Sequence, residues 1–302
     1  MNGAPRALSR ATLLVLFSAC CFGSIPILIT LATRSGARLV DVLAWRYLLA
    51  AVLLVFVSGG ARAVLAQGRR AWPVIGLAGG GQAAIAFVSL SALRYIPAAT
   101  LTFLFYTYPA WVAVMAAVRG TEPITGRRAI ALALSLAGIV LMVGLPGSGG
   151  LHPLGALLAL SSALLYATYI PMIAWLGRSL TPALTSTYTS IGAAAILVVV
   201  ALWQGGLALR FAPIGWLAVV TLAVVCTVLA FLAFLRGLAS LGPVRTAIVS
   251  TIEPFWAALL GTVVLGQQIS PRTFVGGLLI AAAVIVLQLG VVRRPLPAEV
   301  QG

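Results

Sequence analysis

Ten stretches of this chain are each long and apolar enough to cross a lipid bilayer, and that single feature limits the fold more than any other. They cover residues 11–33, 41–59, 71–93, 97–117, 128–145, 152–176, 182–203, 213–235, 243–265 and 273–292. A spanning helix needs about 20 predominantly apolar residues. Inside hydrocarbon every backbone group must be paired within its own segment, so each stretch is predicted to be helical. Little is left over for a separate soluble domain. Of the 302 residues, 62% are hydrophobic and 8% charged, and a water-soluble fold could not bury that much apolar surface. The expected class is an all-α integral membrane protein with ten transmembrane helices.

The charges set the orientation. All 19 basic residues are arginines, against Asp41, Glu122, Glu253 and Glu299, for a formal net charge of +15. Nucleic acid is not expected as a partner, because these arginines stand in ones and twos between apolar runs and not on one phosphate-tracking face. With the N-terminus inside, the cytoplasmic side collects Arg6, Arg10, Arg62, Arg69, Arg70, Arg119, Arg127, Arg128, Arg178, Arg236, Arg245, Arg293 and Arg294. The other side collects Arg34, Arg38, Arg94, Arg210 and Arg272. The positive-inside rule then predicts cytoplasmic N- and C-termini, and the expected location of such a multi-pass chain is a bacterial inner (plasma) membrane. "LFSAC" at 16–20 reads as part of an uncleaved first helix, since Phe17 is bulky for a lipoprotein cleavage site and the apolar run goes on to Leu31. Cys20, Cys21 and Cys226 lie in apolar runs and read as small buried thiols.

The chain also repeats itself. "TYPAWVAVMAAVRGTEPITGRR" (107–128) and "IEPFWAALLGTVVLGQQISPRT" (252–273) align at a constant offset of 145. Pro109 falls on Pro254, Trp111 on Trp256, Glu122 on Gln267 and Arg127 on Arg272; the same offset carries Pro26 onto Pro171. Each half, 1–146 and 147–302, thus holds five stretches. Five is odd, so the second half must enter the membrane inverted. Inverted repeats place a substrate site at their interface near the midplane, beside interrupted helices. Pro26, Pro109, Pro171 and Pro254 each remove a backbone hydrogen bond and kink the helix, so they are read as hinge points, with plain packing as the other reading.

"ALRYIPAATLTFLFYTYPAW" (92–111) closing the first half and "LGPVRTAIVSTIEPFWAALLGTVVLGQQIS" (241–270) closing the second resemble the EamA-type members of the drug/metabolite transporter superfamily, among them the aromatic amino-acid exporters. The resemblance covers the whole chain. The Gly-Glu ending usual for the fourth and ninth helices reads Gly120-Thr121-Glu122 and Gly266-Gln267 here. What the resemblance implies is movement of amino acids, other metabolites or drugs, mostly outward and without ATP.

One acid sits where it is least welcome. Glu253 lies inside the ninth stretch, where an ionised carboxylate costs roughly 2.5–3.5 kcal/mol even on lenient insertion scales. On a continuous helix Thr246, Ser250, Glu253 and Trp256 share one stripe, and the offset places Leu101, Phe105, Tyr108 and Trp111 on the matching stripe of the fourth. If both stripes face one cavity, one wall is aromatic and the other polar, with an acid able to meet an ammonium group or carry a proton. Gln82, its offset mate Thr227, and Tyr166 and Tyr169 are further lining candidates. Arg46, inside the second stretch, either binds a substrate carboxylate or snorkels outward. The bland alternatives are a protonated or locally satisfied Glu253 and aromatic residues that only pack.

No GxxxxGK[ST] loop, HExxH or cluster of metal ligands occurs, so no catalytic residue, metal or cofactor is expected. His152, in "GLPGSGGLHP" (144–153), reads as solvated, and Gly76 and Gly80 form a GxxxG suited to close helix packing. The expected function is a secondary transporter exporting amino acids or similar small amphiphilic metabolites through a central cavity by alternating access. Its partners would be that substrate, the bilayer and protons as coupling ion. The alternatives are a translocator of lipid or other metabolites, or an intramembrane enzyme, which one Glu without a His at membrane depth serves poorly.

Overall fold

In the computed structural model, residues 3–120, 125–143 and 151–291 are described, and each apolar stretch among them has become a helix of membrane-crossing length. The spans are Arg10–Arg34, Leu39–Val57, Gly68–Arg94, Ala98–Val118, Gly126–Val143, Pro153–Ile173, Pro182–Trp203, Pro213–Leu241, Ile248–Leu265 and Pro271–Gln288. No β-strand occurs among the described residues. Glu122, residues 144–150 of the connector between the halves, and the C-terminal Arg293 and Arg294 lie outside them. The fold is all-α, in two five-helix repeats that are inverted because five is odd.

The local chemistry explains where these helices start and stop. The sixth, seventh, eighth and tenth spans open with Pro153, Pro182, Pro213 and Pro271. Proline suits the first helical position, where its missing N–H has no partner to lose. Before Pro182, the Thr181 hydroxyl accepts from Leu184 N at 3.3 Å and caps the seventh span. The ninth ends on Gly266 at φ +65°, the left-handed stop that glycine adopts without strain.

The expected boundary between the eighth and ninth spans is shifted. The apolar run places the start at 243, but helical backbone runs on from Ala230 to Ser250 and the ninth span begins at Ile248. The chain turns back between Gly237 and Glu253, since Gly215, early in the eighth span, lies against Ser35 just past the end of the first. Gly237 lies against Ala11 and Val15 near the start of the first span, whereas Glu253 lies against Gly23, well along it.

Three of the four intramembrane prolines sit at breaks. The fourth span stops at Phe105 and restarts at Tyr108, and the ninth passes from Ser250 to a new segment at Glu253. The interruptions, 106–107 and 251–252, are themselves 145 residues apart. Pro109 and Pro254 occupy the first turn after each. The first span breaks at Ser24, with Pro26 following, and the Ser24 hydroxyl donates back to Cys20 O at 2.8 Å. Pro171 differs: it lies inside the uninterrupted helix Pro153–Leu176. The residue of the sixth span matching Ser24 is Tyr169, whose side chain has no hydroxyl within reach of its own preceding turn.

Packing joins the halves. The seventh span presses on the third so closely that a Cβ added to Gly192 would lie 1.9 Å from Ile75 O, and one on Gly79 would lie 2.5 Å from Gly192 Cα. The GxxxG glycines are not the close pair: Gly76 faces open space and Gly80 meets only the Ile196 side chain at 3.4 Å. At one end of the bundle Arg38 forks onto the fully buried Asp41, Nε to Oδ2 at 2.6 Å and Nη2 to Oδ1 at 2.8 Å. It also donates to the carbonyls of Gln204, at 2.8 Å, and Gly206, tying the second span to a connector of the other half. The Asp41 hydrogen bond raises the pKa of this guanidinium, which lies outside the spans. At the other end Tyr188 OH donates to Val64 O at 2.5 Å. Large apolar side chains remain uncovered along the spans (Phe56 73% exposed, Val263 72%), as a surface that meets lipid requires. Trp72, Trp175 and Trp203 stand exposed near span ends, where indole suits the membrane interface.

Candidate functional site

The breaks open a cavity of about 430 Å³ inside the bundle, with an adjoining lobe of about 140 Å³. Glu253 lines both lobes. It is there because the helix restarts at this residue, so its side chain projects from a first turn. Its Oε2 stands 2.7 Å from the hydroxyl of Tyr106, which occupies the equivalent break in the fourth span. That hydroxyl also lies 2.9 Å from Ser250 O, a carbonyl at the helix end preceding Glu253.

The wall facing this pair is aromatic. Tyr166 packs edge-on against Tyr108 at 4.8 Å between ring centroids and lies 5.1 Å from Phe105. Tyr169, three residues along the same helix face, stacks on Tyr166 at 6.1 Å. Phe105, Tyr108, Tyr166 and Tyr169 all line the larger lobe. A third side is polar and basic. Gln82 Nε2 donates to Tyr47 OH at 2.9 Å, and Arg46 Nε donates to Thr227 Oγ1 at 3.0 Å. Arg46 is 7% exposed, so it turns into the cavity and does not snorkel outward.

Of the sequence candidates, Glu253, Tyr108, Phe105, Gln82, Tyr166, Tyr169 and Arg46 come together here. Trp256, Ser250 and Trp111 do not. The interruption at 251–252 separates Ser250 from Glu253, whereas Trp256 follows Glu253 on the same restarted helix and is drawn to a partner outside the cavity. Trp256 is turned to the first span, where its Nε1 donates to Ser24 Oγ at 3.0 Å. Ser250 contributes its carbonyl, and the buried Trp111 Nε1 has no hydrogen-bond partner in the structure.

Tyr106 and Tyr47 line the cavity without having been singled out, as do Ser186, Thr189 and Ser190. The signals existed: "STYTS" (186–190) is a polar interruption of the seventh apolar run, and Tyr106 stands three residues before a break proline. Among the described residues no group of His, Cys, Asp and Glu could hold a metal ion. His152 is exposed and stacks on Tyr95 at 4.7 Å.

A polar and aromatic cavity between two inverted halves, reached by helices that break at matching points, is the architecture of a membrane transporter. The chain belongs to the EamA-like transporter family, whose family model matches residues 9–144 and, a second time, 153–289. It is 25% identical to the uncharacterized transporter YyaM of Bacillus subtilis (strain 168) over 263 residues, covering 83% of this chain and 85% of that one. To the uncharacterized transporter YwfM of the same organism it is 27% identical over 158 residues, covering 52% and 53%. A solved crystal structure, 22% identical, superposes with a TM-score of 0.63 over 94% of this chain and 99% of that one, a likeness of fold.

Proposed function

We propose that this protein is a secondary transporter that exports amino acids or similar small amphiphilic metabolites by alternating access between its halves, 1–146 and 147–302. It sits in a bacterial inner membrane with both termini cytoplasmic, and protons are the coupling ion. The arginine distribution supports that orientation, and the breaks beside Pro26, Pro109 and Pro254 are the hinge points.

The observation that carries this reading is the position of the Tyr106 hydroxyl between two acceptors, Glu253 Oε2 and Ser250 O. Its one proton can serve either. When Glu253 is ionised, Tyr106 donates to it. When Glu253 holds a proton, the carboxyl donates to Tyr106 and Tyr106 turns its own proton to Ser250 O. Both states of the acid are satisfied without a rearrangement of the backbone, which is what a carboxylate that takes up and releases a proton each cycle requires. The aromatic wall suits the apolar side chain of the substrate and Glu253 its ammonium group.

Uptake of a panel of labelled amino acids into proteoliposomes, with and without an imposed pH gradient, tests the proposal. Accumulation of at least one amino acid, driven by the gradient, is expected. No amino-acid flux in either condition would overturn the substrate class, and flux indifferent to the gradient would overturn proton coupling.

A further inference from the structure

Arg46 is a buried cation with no carboxylate partner among the described residues. The ion pair found among the described residues is Arg38 with Asp41, remote from this cavity. Arg46 and Glu253 line the same two lobes and yet do not pair with each other. An unpaired charge at membrane depth is costly and marks a site where a counter-charge arrives.

The guanidinium is held from behind. Its Nε donates to Thr227 Oγ1 at 3.0 Å, and Thr227 passes its own proton to Leu222 O at 2.8 Å. That second bond spans five residues, where the eighth span winds as a π-helix over Val224–Leu229; such π turns often accompany functional sites. Tyr47 flanks the group, its ring centroid 5.2 Å from the guanidinium carbon, and is itself anchored by Gln82. Nε and the ring-facing side are therefore engaged. What remains is the Nη edge, for which no acceptor among the described residues stands within hydrogen-bond distance. Two parallel N–H donors in a rigid plane match a carboxylate.

We propose that the Nη edge of Arg46 binds the carboxylate of the transported metabolite while Glu253 faces its ammonium group, so that the cavity reads zwitterions at two points. This rests on the amino-acid reading above. A doubly charged phosphate is a poorer occupant, because Glu253 shares the cavity and would repel it. The volume of about 430 Å³ falls in the usual range of small-molecule sites, about 300–1,000 Å³.

The test compares phenylalanine with phenylalaninamide, which keeps the ring and the ammonium group and loses the carboxylate. Binding is measured by equilibrium dialysis on the full chain purified in detergent. The native protein is expected to prefer the acid by at least about tenfold, the scale of a charge-assisted hydrogen-bonded pair. Arg46→Gln is expected to abolish the preference by weakening the acid alone, and retained amide binding shows that the variant is folded. Thr227→Val, which frees the guanidinium but keeps its charge, should reduce the preference partway, and it decides the matter if Arg46→Gln does not fold. Native binding that treats acid and amide alike, or a preference that survives the substitutions, overturns this assignment and leaves the transport reading standing. Binding of neither probe, nor of leucine and its amide, removes the amino-acid reading and this assignment with it.

Discussion

Trp256 Nε1 donates to Ser24 Oγ at 3.0 Å, so the break in the first span leans on the restarted helix of the ninth. The contact is tight on both sides. A Cβ added to Gly23 would fall 2.6 Å from Glu253 O and 3.3 Å from Trp256 Cδ1. Two interrupted helices from opposite halves thus meet beside the cavity, and the residue that joins them is outside its lining.

Trp256→Phe keeps an aromatic ring, smaller than the indole, and removes the donor. Loss of one neutral hydrogen bond costs about 1 kcal/mol, so the thermal midpoint in detergent should fall by a few degrees. Substrate affinity should hold, because the indole does not line the cavity. A large loss of affinity with unchanged stability would place Trp256 in the site after all.

Glu253→Gln retains the shape of the side chain and one oxygen acceptor while abolishing its charge and its proton. Concentrative transport should cease, and whatever flux remains should lose its pH dependence, with protein abundance in the membrane unchanged. Proteoliposome flux measured across a pH series reads this directly. Full transport with native pH dependence would leave Glu253 a structural residue.

Tyr106→Phe deletes the hydroxyl that serves Glu253 and Ser250 and leaves the aromatic surface. Hydrogen bonds to charged groups are worth about 1.5–3 kcal/mol, which corresponds to a fall in gradient-driven rate of about tenfold or more. Exchange of substrate in the absence of a gradient, measured by counterflow, should suffer less, since it needs no proton step. Equal losses in both assays would argue against a proton role for this pair.

Gly192→Ala should destabilise the fold and Gly76→Ala should not. The new methyl at 192 would collide with Ile75 O across the contact between the third and seventh spans, whereas that at 76 meets open space. Overpacking of this kind costs about 1–3 kcal/mol. Thermal unfolding of the two variants side by side is the check, and equal stability would mean that the two spans can move apart freely.

Single cysteines at Gln67 and Leu209, in a background lacking Cys20, Cys21 and Cys226, should label from opposite sides of the membrane. Both positions lie in connectors, after the second and the seventh spans. In the proposed orientation the first lies inside the cell and the second outside. Labelling from the same side would contradict the inversion.

The sequence by itself determined the number of helices, their approximate ends and their pairing into two inverted halves. Those properties rest on local and cumulative quantities: about 20 apolar residues per crossing, prolines tolerated at helix starts, and an odd count that forces inversion. The constant offset of 145 was written in Pro109, Pro254, Trp111 and Trp256, and it extends to the helix breaks the structure shows. Glu253, Tyr108, Phe105, Gln82, Tyr166, Tyr169 and Arg46 were legible as cavity candidates, and which other side chains face the cavity was decided by tertiary structure. The helical period carries a stripe forward only while the helix is continuous, and the interruption of the ninth span separates Ser250 from Glu253, although Phe105 and Tyr108 both reach the cavity across that of the fourth. Glu253 and Trp256 share one restarted helix, as do Tyr108 and Trp111; Glu253 and Tyr108, the first residue of each, reach the cavity, Trp256 is held by Ser24 of the first span, and Tyr106, inside the break, ends up against the carboxylate. Arg46 could point either way from its place in the second stretch. It is Thr227, 181 residues later on a π turn of the other half, that draws it inward.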